Sequence, residues 1–130
     1  RVVAVDLAGK EVWFADTKGP SEAPPLVSGG TVYVSLAQGA IQAFPPTDAG
    51  PWSWPAGGKT VQPIHGSPTL ADGKLIVASE DRLYAVDATS GRLLWSYATS
   101  PSARFRASPL VVGSLAYVGG EGSLIAVELD

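Results

Sequence analysis

The chain has no cysteine, no methionine and a single histidine, His65, among its 130 residues. Without thiols there can be no disulfide, no thiolate metal site and no thiol nucleophile. One histidine builds neither a histidine metal site nor a Ser-His-Asp triad, so the default for His65 is a solvated loop position. Cations are scarce too: 9 Lys and Arg stand against 12 Asp and Glu, a formal net charge of −3. A nucleic-acid surface needs the opposite balance. No apolar stretch approaches the roughly 18 residues of a membrane span, and apolar residues nowhere recur at helical spacing over a long window. No signal peptide is legible, and the first residue is Arg1 rather than methionine. That start fits a piece trimmed from something longer and says little about export.

Turn formers and apolar residues are what the chain has in quantity. It holds 15 glycines and 11 prolines in a composition that is 45% hydrophobic and 16% charged. Such a balance suits a many-stranded globular domain with abundant turns.

One short phrase recurs. Its fullest copy runs Leu83-Tyr-Ala-Val-Asp87-Ala-Thr-Ser-Gly91-Arg-Leu-Leu-Trp95, and a shorter one opens the chain as Val3-Ala-Val-Asp6-Leu-Ala-Gly9-Lys-Glu-Val-Trp13. A degraded copy begins Ile41-Gln-Ala43-Phe-Pro and continues to Trp52 and Trp54, and a fourth starts at Leu124-Ile-Ala126-Val-Glu128. The aligned alanines Ala4, Ala43, Ala85 and Ala126 follow one another at a nearly constant interval. Pro25, Pro68 and Pro109 keep the same period, each followed by an apolar stretch, a small turn and a second apolar stretch. Self-similarity with a period of roughly 40 residues marks a repeat architecture.

Each period predicts four strands. In the third they run roughly over Pro68–Leu70, Lys74–Ser79, Arg82–Asp87 and Leu93–Tyr97, separated by turns that contain glycine or charge. Four antiparallel strands per unit is the blade of a β-propeller. The expected fold is therefore all-β, with about three blades in a single propeller segment over residues 1–130: blade parts at 1–16, 23–57, 66–98 and 107–130. Because propellers close with about four to eight blades, three predict either a piece of a longer propeller, which is the favoured expectation, or a ring completed by further copies.

The phrase itself has a packing purpose. Asp87 can accept hydrogen bonds from turn amides, Gly91 supplies positive φ, and Ala85 leaves room for a flat ring near the sheet. Trp95 is that ring. A tryptophan stacked between blades buries about 150–250 Å², and its truncation should cost about 3–5 kcal/mol. Ala4 and Trp13 have the same assignment in the first copy. One of Trp52 and Trp54 docks the second blade, and the spare indole, among prolines in the irregular insertion Pro45–Lys59, is expected to be exposed to a sugar, a peptide or the next domain.

These residues resemble the tryptophan-docking motif of quinoprotein-like (PQQ-type) β-propellers, and the resemblance covers essentially the whole chain. The copy Ala85–Trp95 matches throughout, with Ser90 and Arg92 in place of threonine and lysine. The copy at Ala4–Trp13 has one residue fewer in its turn, and the second has Pro45 in place of the aspartate. WD40 signatures are missing, and Gly119-Gly120 has no counterpart in the preceding repeat to make a kelch pattern. Enzymes of the family hold pyrroloquinoline quinone and calcium at the ring centre, sometimes under a disulfide that this chain cannot form. Asp6, Glu11, Asp16, Asp72, Glu80, Asp81 and Asp87 fall mainly at turns, where capping or solvated roles are the default. The resemblance therefore implies the non-enzymatic branch, without cofactor or bound metal: a scaffold for protein–protein interaction or sensing, extracytoplasmic in a bacterium. A fragment of a PQQ-dependent dehydrogenase and a carbohydrate-binding propeller are the alternatives. The expected partners are another protein or the remaining blades of the same one, with a ring-completing homo-oligomer as the variant.

Repeat logic also locates a binding surface. Three residues before each landmark proline stand Glu22, His65 and Arg106, polar and different in every repeat, so the shared framework does not dictate them. Arg104, Phe105 and Arg106 form the densest group, with Phe105 alternatively a plug between blades. Loops on a rigid scaffold are where function concentrates. The candidate binding residues are Glu22, His65, Arg104, Phe105, Arg106, Trp52 and Trp54.

Overall fold

The computed structural model describes residues 1–46, 48–98 and 103–130. The all-β expectation holds: the described residues form 13 strands and no helix. The first sheet pairs β1 (Val2–Val5) with β2 (Glu11–Ala15). The second holds β3 (Leu26–Ser28), β4 (Thr31–Leu36), β5 (Ala40–Phe44) and β6 (Trp52–Trp54) in sequence order. The third repeats that meander with β7 (Thr69–Ala71), β8 (Lys74–Ala78), β9 (Arg82–Asp87) and β10 (Leu93–Ala98). The fourth has three strands, β11 (Leu110–Val112), β12 (Leu115–Gly120) and β13 (Ser123–Glu128). Every pairing is antiparallel. The opening strand stops at Val5 rather than Leu7, because Asp6 already caps the turn by accepting hydrogen bonds from the amides of Ala8 and Lys10 at 2.9 Å each.

Both faces of the middle sheets are buried, so their central strands read as continuous apolar runs instead of alternating. Leu75, Val77 and Val86 lean on the second sheet beside Ile41, Trp54 and Ile64. Ile76, Leu83 and Ala85 point the other way, toward Ala116 and Val118 of the fourth sheet and Leu129 just after it. Val34, Leu36 and Phe44 meet Val2 of the first. Three apolar seams thus separate four sheets. The far faces of the first and fourth sheets expose Val3, Val5, Val12 and Phe14 at one end and Leu110, Val112 and Leu124 at the other.

The docking phrase has one register throughout. Trp13 lies opposite Ala4, Trp52 opposite Ala43 and Trp95 opposite Ala85. In the first and third sheets the ladder slips by one residue just before the tryptophan, at Val12 and Leu94. A bulge of this kind re-aims the side chain that follows it. The one-residue difference between those two copies is absorbed in the turn before the bulge, and the alanine–tryptophan pairing survives.

Candidate functional site

In an up-and-down meander, the segment entering the first strand and the turn between the second and third strands lie at the same end of the sheet. Hydrogen bonds join them here: the Ala37 amide donates to the Pro20 carbonyl at 2.8 Å, and the Glu80 amide to the Pro63 carbonyl at 3.0 Å. The next blade follows suit, with the Phe105 amide donating to the Glu80 carbonyl at 3.2 Å. Gly66 passes so close to the following segment that a Cβ there would sit 2.5 Å from the Ser108 nitrogen. Three entering segments are thereby drawn together at one end of three successive sheets.

Their polar side chains meet. His65 Nδ1 lies 3.1 Å from Glu22 Oε2, and its Nε2 lies 2.9 Å from Glu80 Oε1. Arg106 Nη2 is 4.0 Å from that same Glu80 oxygen. A neutral imidazole has only one N–H and cannot donate to both carboxylates; the imidazolium can. Accordingly, the Glu80 and then the Glu22 carboxylate hold the His65 pKa above its ordinary value, against desolvation and the Arg106 charge. Glu80 moves down, first through the His65 hydrogen bond, with desolvation opposing and the Arg106 and Arg104 charges assisting. The result is a charged clasp across three blades, half open to solvent.

Arg104 and Arg106 are exposed, whereas Phe105 between them is 1% exposed and packs among Ala85, Val118 and Leu129. An extended segment with period two produces that alternation. Phe105 therefore fills the plug position between blades. The Ser102 end of this segment lies outside the described residues. Glu80 was missed from the sequence because a Glu-Asp turn reads as solvated. The signal that could have found it is strand parity, which puts the β8–β9 turn beside His65.

The insertion also differs from expectation. Trp52 and Trp54 are two residues apart on β6 and so face the same way. Trp52 packs over Gly91 and near Tyr33, with ring centroids 6.2 Å apart. Trp54 is 5% exposed and meets the Tyr84 ring edge-on at 4.7 Å. Neither is a free indole, which corrects the expectation of a spare exposed one. A groove of about 600 Å³ runs past Trp52, bordered by Asp16, Lys18 and Arg92.

A calcium–quinone centre finds no match in these residues. Calcium takes about six to eight oxygens from one cavity. Asp6 and Asp87 are engaged in their own turns, and Glu22 and Glu80 lie on opposite edges of one imidazole. Among the described residues no group of three or more His, Cys, Asp or Glu side chains could hold a metal ion.

Four-stranded meanders repeated at a near-constant interval, sealed by tryptophans set opposite alanines, define a segment of a PQQ-type β-propeller. The chain belongs to the family of the outer membrane protein assembly factor BamB, whose family model matches residues 1–130. It is 27% identical over 99 residues to the outer membrane protein assembly factor BamB of Nitrosomonas eutropha, covering 75% of this chain and 23% of the relative. The crystal structure of BamB from Moraxella catarrhalis superposes with a TM-score of 0.76 at 20% identity, over 93% of this chain and 37% of that one. A europium-containing methanol dehydrogenase superposes with a TM-score of 0.72 at 22% identity, over 90% and 24%. The chain thus spans about a quarter of the curated relative's length, and the structural likenesses speak to fold alone. Among the described residues no helix is long and apolar enough to cross a membrane.

Proposed function

We propose that this chain is a noncatalytic propeller scaffold that works outside the cytoplasm and engages a protein partner through the loop cluster at one end of its sheets. The observation that carries this is the convergence of Glu22, His65, Glu80 and Arg106 from three blades, with Arg104 exposed alongside. The repeated framework needs none of these side chains, and they differ from blade to blade. Such a surface gives charge-complementary recognition on a rigid base. The assembly role named for the BamB relatives favours a protein ligand over a small substrate, and the name's reference to the outer membrane supports the extracytoplasmic setting.

A photo-crosslinking residue placed at Arg106, on the cluster, or at Thr89, at the opposite end of the same sheets, tests the reading. Cross-links to a discrete envelope protein from position 106 and none from 89 are expected. Equal labelling from both positions counts against the site. Alcohol oxidation after loading the chain with PQQ and calcium would sink the noncatalytic assignment.

A further inference from the structure

Gln42 breaks the pattern of its position. It precedes Ala43 on β5, whereas Val3, Tyr84 and Ile125 precede Ala4, Ala85 and Ala126 in the other copies of the phrase. Its side chain points with Ala40 and Phe44 toward the first sheet and is 4% exposed. A primary amide buried there needs hydrogen-bond partners. Half of it has one: Oε1 accepts from the Lys18 amide at 2.8 Å. That bond fixes the orientation of the side chain, because only the oxygen of the amide can accept from an N–H. The NH2 group is therefore turned away, and Nε2 has no hydrogen-bond partner among the described residues.

The amide borders a cavity of about 220 Å³. Ser53, directly opposite Gln42 in the ladder, borders it too, with Lys18, Lys59 and Thr60. Among the described residues neither lysine is in an ion pair, and no Asp or Glu lines the cavity. Ser53 and Lys59 belong to the insertion Pro45–Lys59, which departs from the other repeats. The blade framework thus requires neither the buried amide nor the cations around it.

The geometry points to a phosphate-binding site in this cavity, one that takes the phosphoryl group of a small soluble ester or of a lipid headgroup. Two ammonium groups, an amide NH2 and two hydroxyls can all donate to oxygen, and lysine serves phosphate as a point charge. A phosphoryl group presents more acceptor oxygens than a carboxylate does, so it uses more of that donor set. Lys18, Gln42 and Ser53 also border the larger groove past Trp52, which leaves room for the rest of a phosphate ester. The carboxylate of that groove, Asp16, is engaged by Arg1 at 2.8 Å. The site shares no residue with the His65 cluster, so it stands or falls independently of protein docking there.

The test is an NMR titration of the 130-residue chain with sodium phosphate, against sodium chloride at the same ionic strength. Saturable shifts of the Gln42 side-chain amide are expected with phosphate and not with chloride. Lys59→Gln should weaken binding by about tenfold, in line with the loss of one hydrogen bond to a charged group. Gln42→Glu keeps an oxygen for the Lys18 amide but exchanges the donor for a negative charge, and it should abolish binding while circular dichroism shows the fold retained. Should that variant unfold, Lys18→Gln and Lys59→Gln still decide, since both lysines are exposed. Glycerol phosphate binding more tightly than inorganic phosphate would assign a soluble ester. Capture of the chain on phosphatidylglycerol vesicles, lost in Lys59→Gln, would assign a lipid headgroup. No saturable shift with phosphate, the same shift with chloride, or binding unaltered in Lys59→Gln would overturn the proposal.

Discussion

Trp52 lies flat against Gly91 of the neighbouring sheet, so close that a Cβ on that glycine would stand 2.5 Å from the ring carbon Cε3. Gly91 also has a φ of +74°, in the region L-residues avoid. Gly91→Ala therefore combines a left-handed backbone cost of about 1–2 kcal/mol with an overpacking cost of about 1–3 kcal/mol. Gly73 separates the two effects, since its φ is +71° but a Cβ there meets nothing within 4 Å. Gly73→Ala should lose only the backbone part. Urea denaturation of both variants checks the difference, and equal losses would mean that Trp52 does not rest on Gly91.

The next seam uses the equivalent tryptophan, Trp95, with a hydrogen bond added. Trp95 Nε1 donates to the Leu129 carbonyl at 3.2 Å, and Ala88, which aligns with Leu129 one repeat earlier, accepts from the Tyr33 hydroxyl at 3.0 Å. These two seams thus close on the carbonyl that follows the acidic position of the next sheet. Trp95→Phe keeps most of the packing and should cost about 0.5–1.5 kcal/mol for the lost bond. Trp95→Ala should cost about 3–5 kcal/mol. Trp13 is 37% exposed and meets the Phe44 ring edge-on at 5.9 Å, so Trp13→Ala should cost clearly less. Thermal unfolding should rank the variants Trp95→Ala, Trp13→Ala, Trp95→Phe from most to least damaging.

The fold was legible because a blade's information is local. Pleat, turn and tryptophan all lie within one period and then repeat, so the third sheet matches its expected strands closely at each boundary. What was not legible depends on neighbours in the next sheet. Nothing near Trp54 in sequence announces Tyr84, and its proximity to prolines suggested exposure where the structure buries it. His65, taken alone, had no partners to assign. Glu22 is 43 residues away and Glu80 is 15, and only the common end of the sheets brings them together. Period and parity combined would have found the clasp; period alone found three of its four members.

The clasp makes stability depend on pH from both sides. His65 has its folded pKa raised above the ordinary 6.5, so its contribution is complete below that value and is lost as pH rises through the folded one. Glu80 has its folded pKa lowered from 4.5, so its contribution is present above 4.5 and is lost as pH falls through the folded one. The two overlap fully between those ordinary values, in mildly acidic solution. Each contact is part-exposed and worth about 0.2–1 kcal/mol. Melting temperature in the wild type should therefore decline as pH rises past 6.5 and through the raised His65 pKa, and His65→Ala should flatten that decline. Asp87, lowered mainly by the Ser90 amide, adds to the acid limb, so Glu80→Gln should reduce that limb without removing it. NMR titration of His65 at or below 6.5 would contradict the double contact.

Phe105 and its arginine neighbours allow folding and recognition to be pulled apart within one short segment. Phe105 is sealed in the seam between the third and fourth sheets, so Phe105→Ala should cost about 3–5 kcal/mol and lower the midpoint of unfolding. Arg104 and Arg106 are exposed, and alanine at either position should change stability by no more than about 0.5 kcal/mol. If the His65 cluster is the docking surface, the arginine pair should matter only when the partner is present. The double variant Arg104→Ala/Arg106→Ala should unfold at the wild-type urea concentration and yet lose the cross-link made from a neighbouring position of the cluster such as Glu22. Should it keep that cross-link at wild-type intensity, the arginines would be solvated loop residues and the recognition chemistry would have to lie elsewhere on the propeller. Loss of stability in the double variant would instead tie the arginines to the Glu80 clasp, an outcome that urea melts at high salt, where exposed ion pairs are screened, would expose directly.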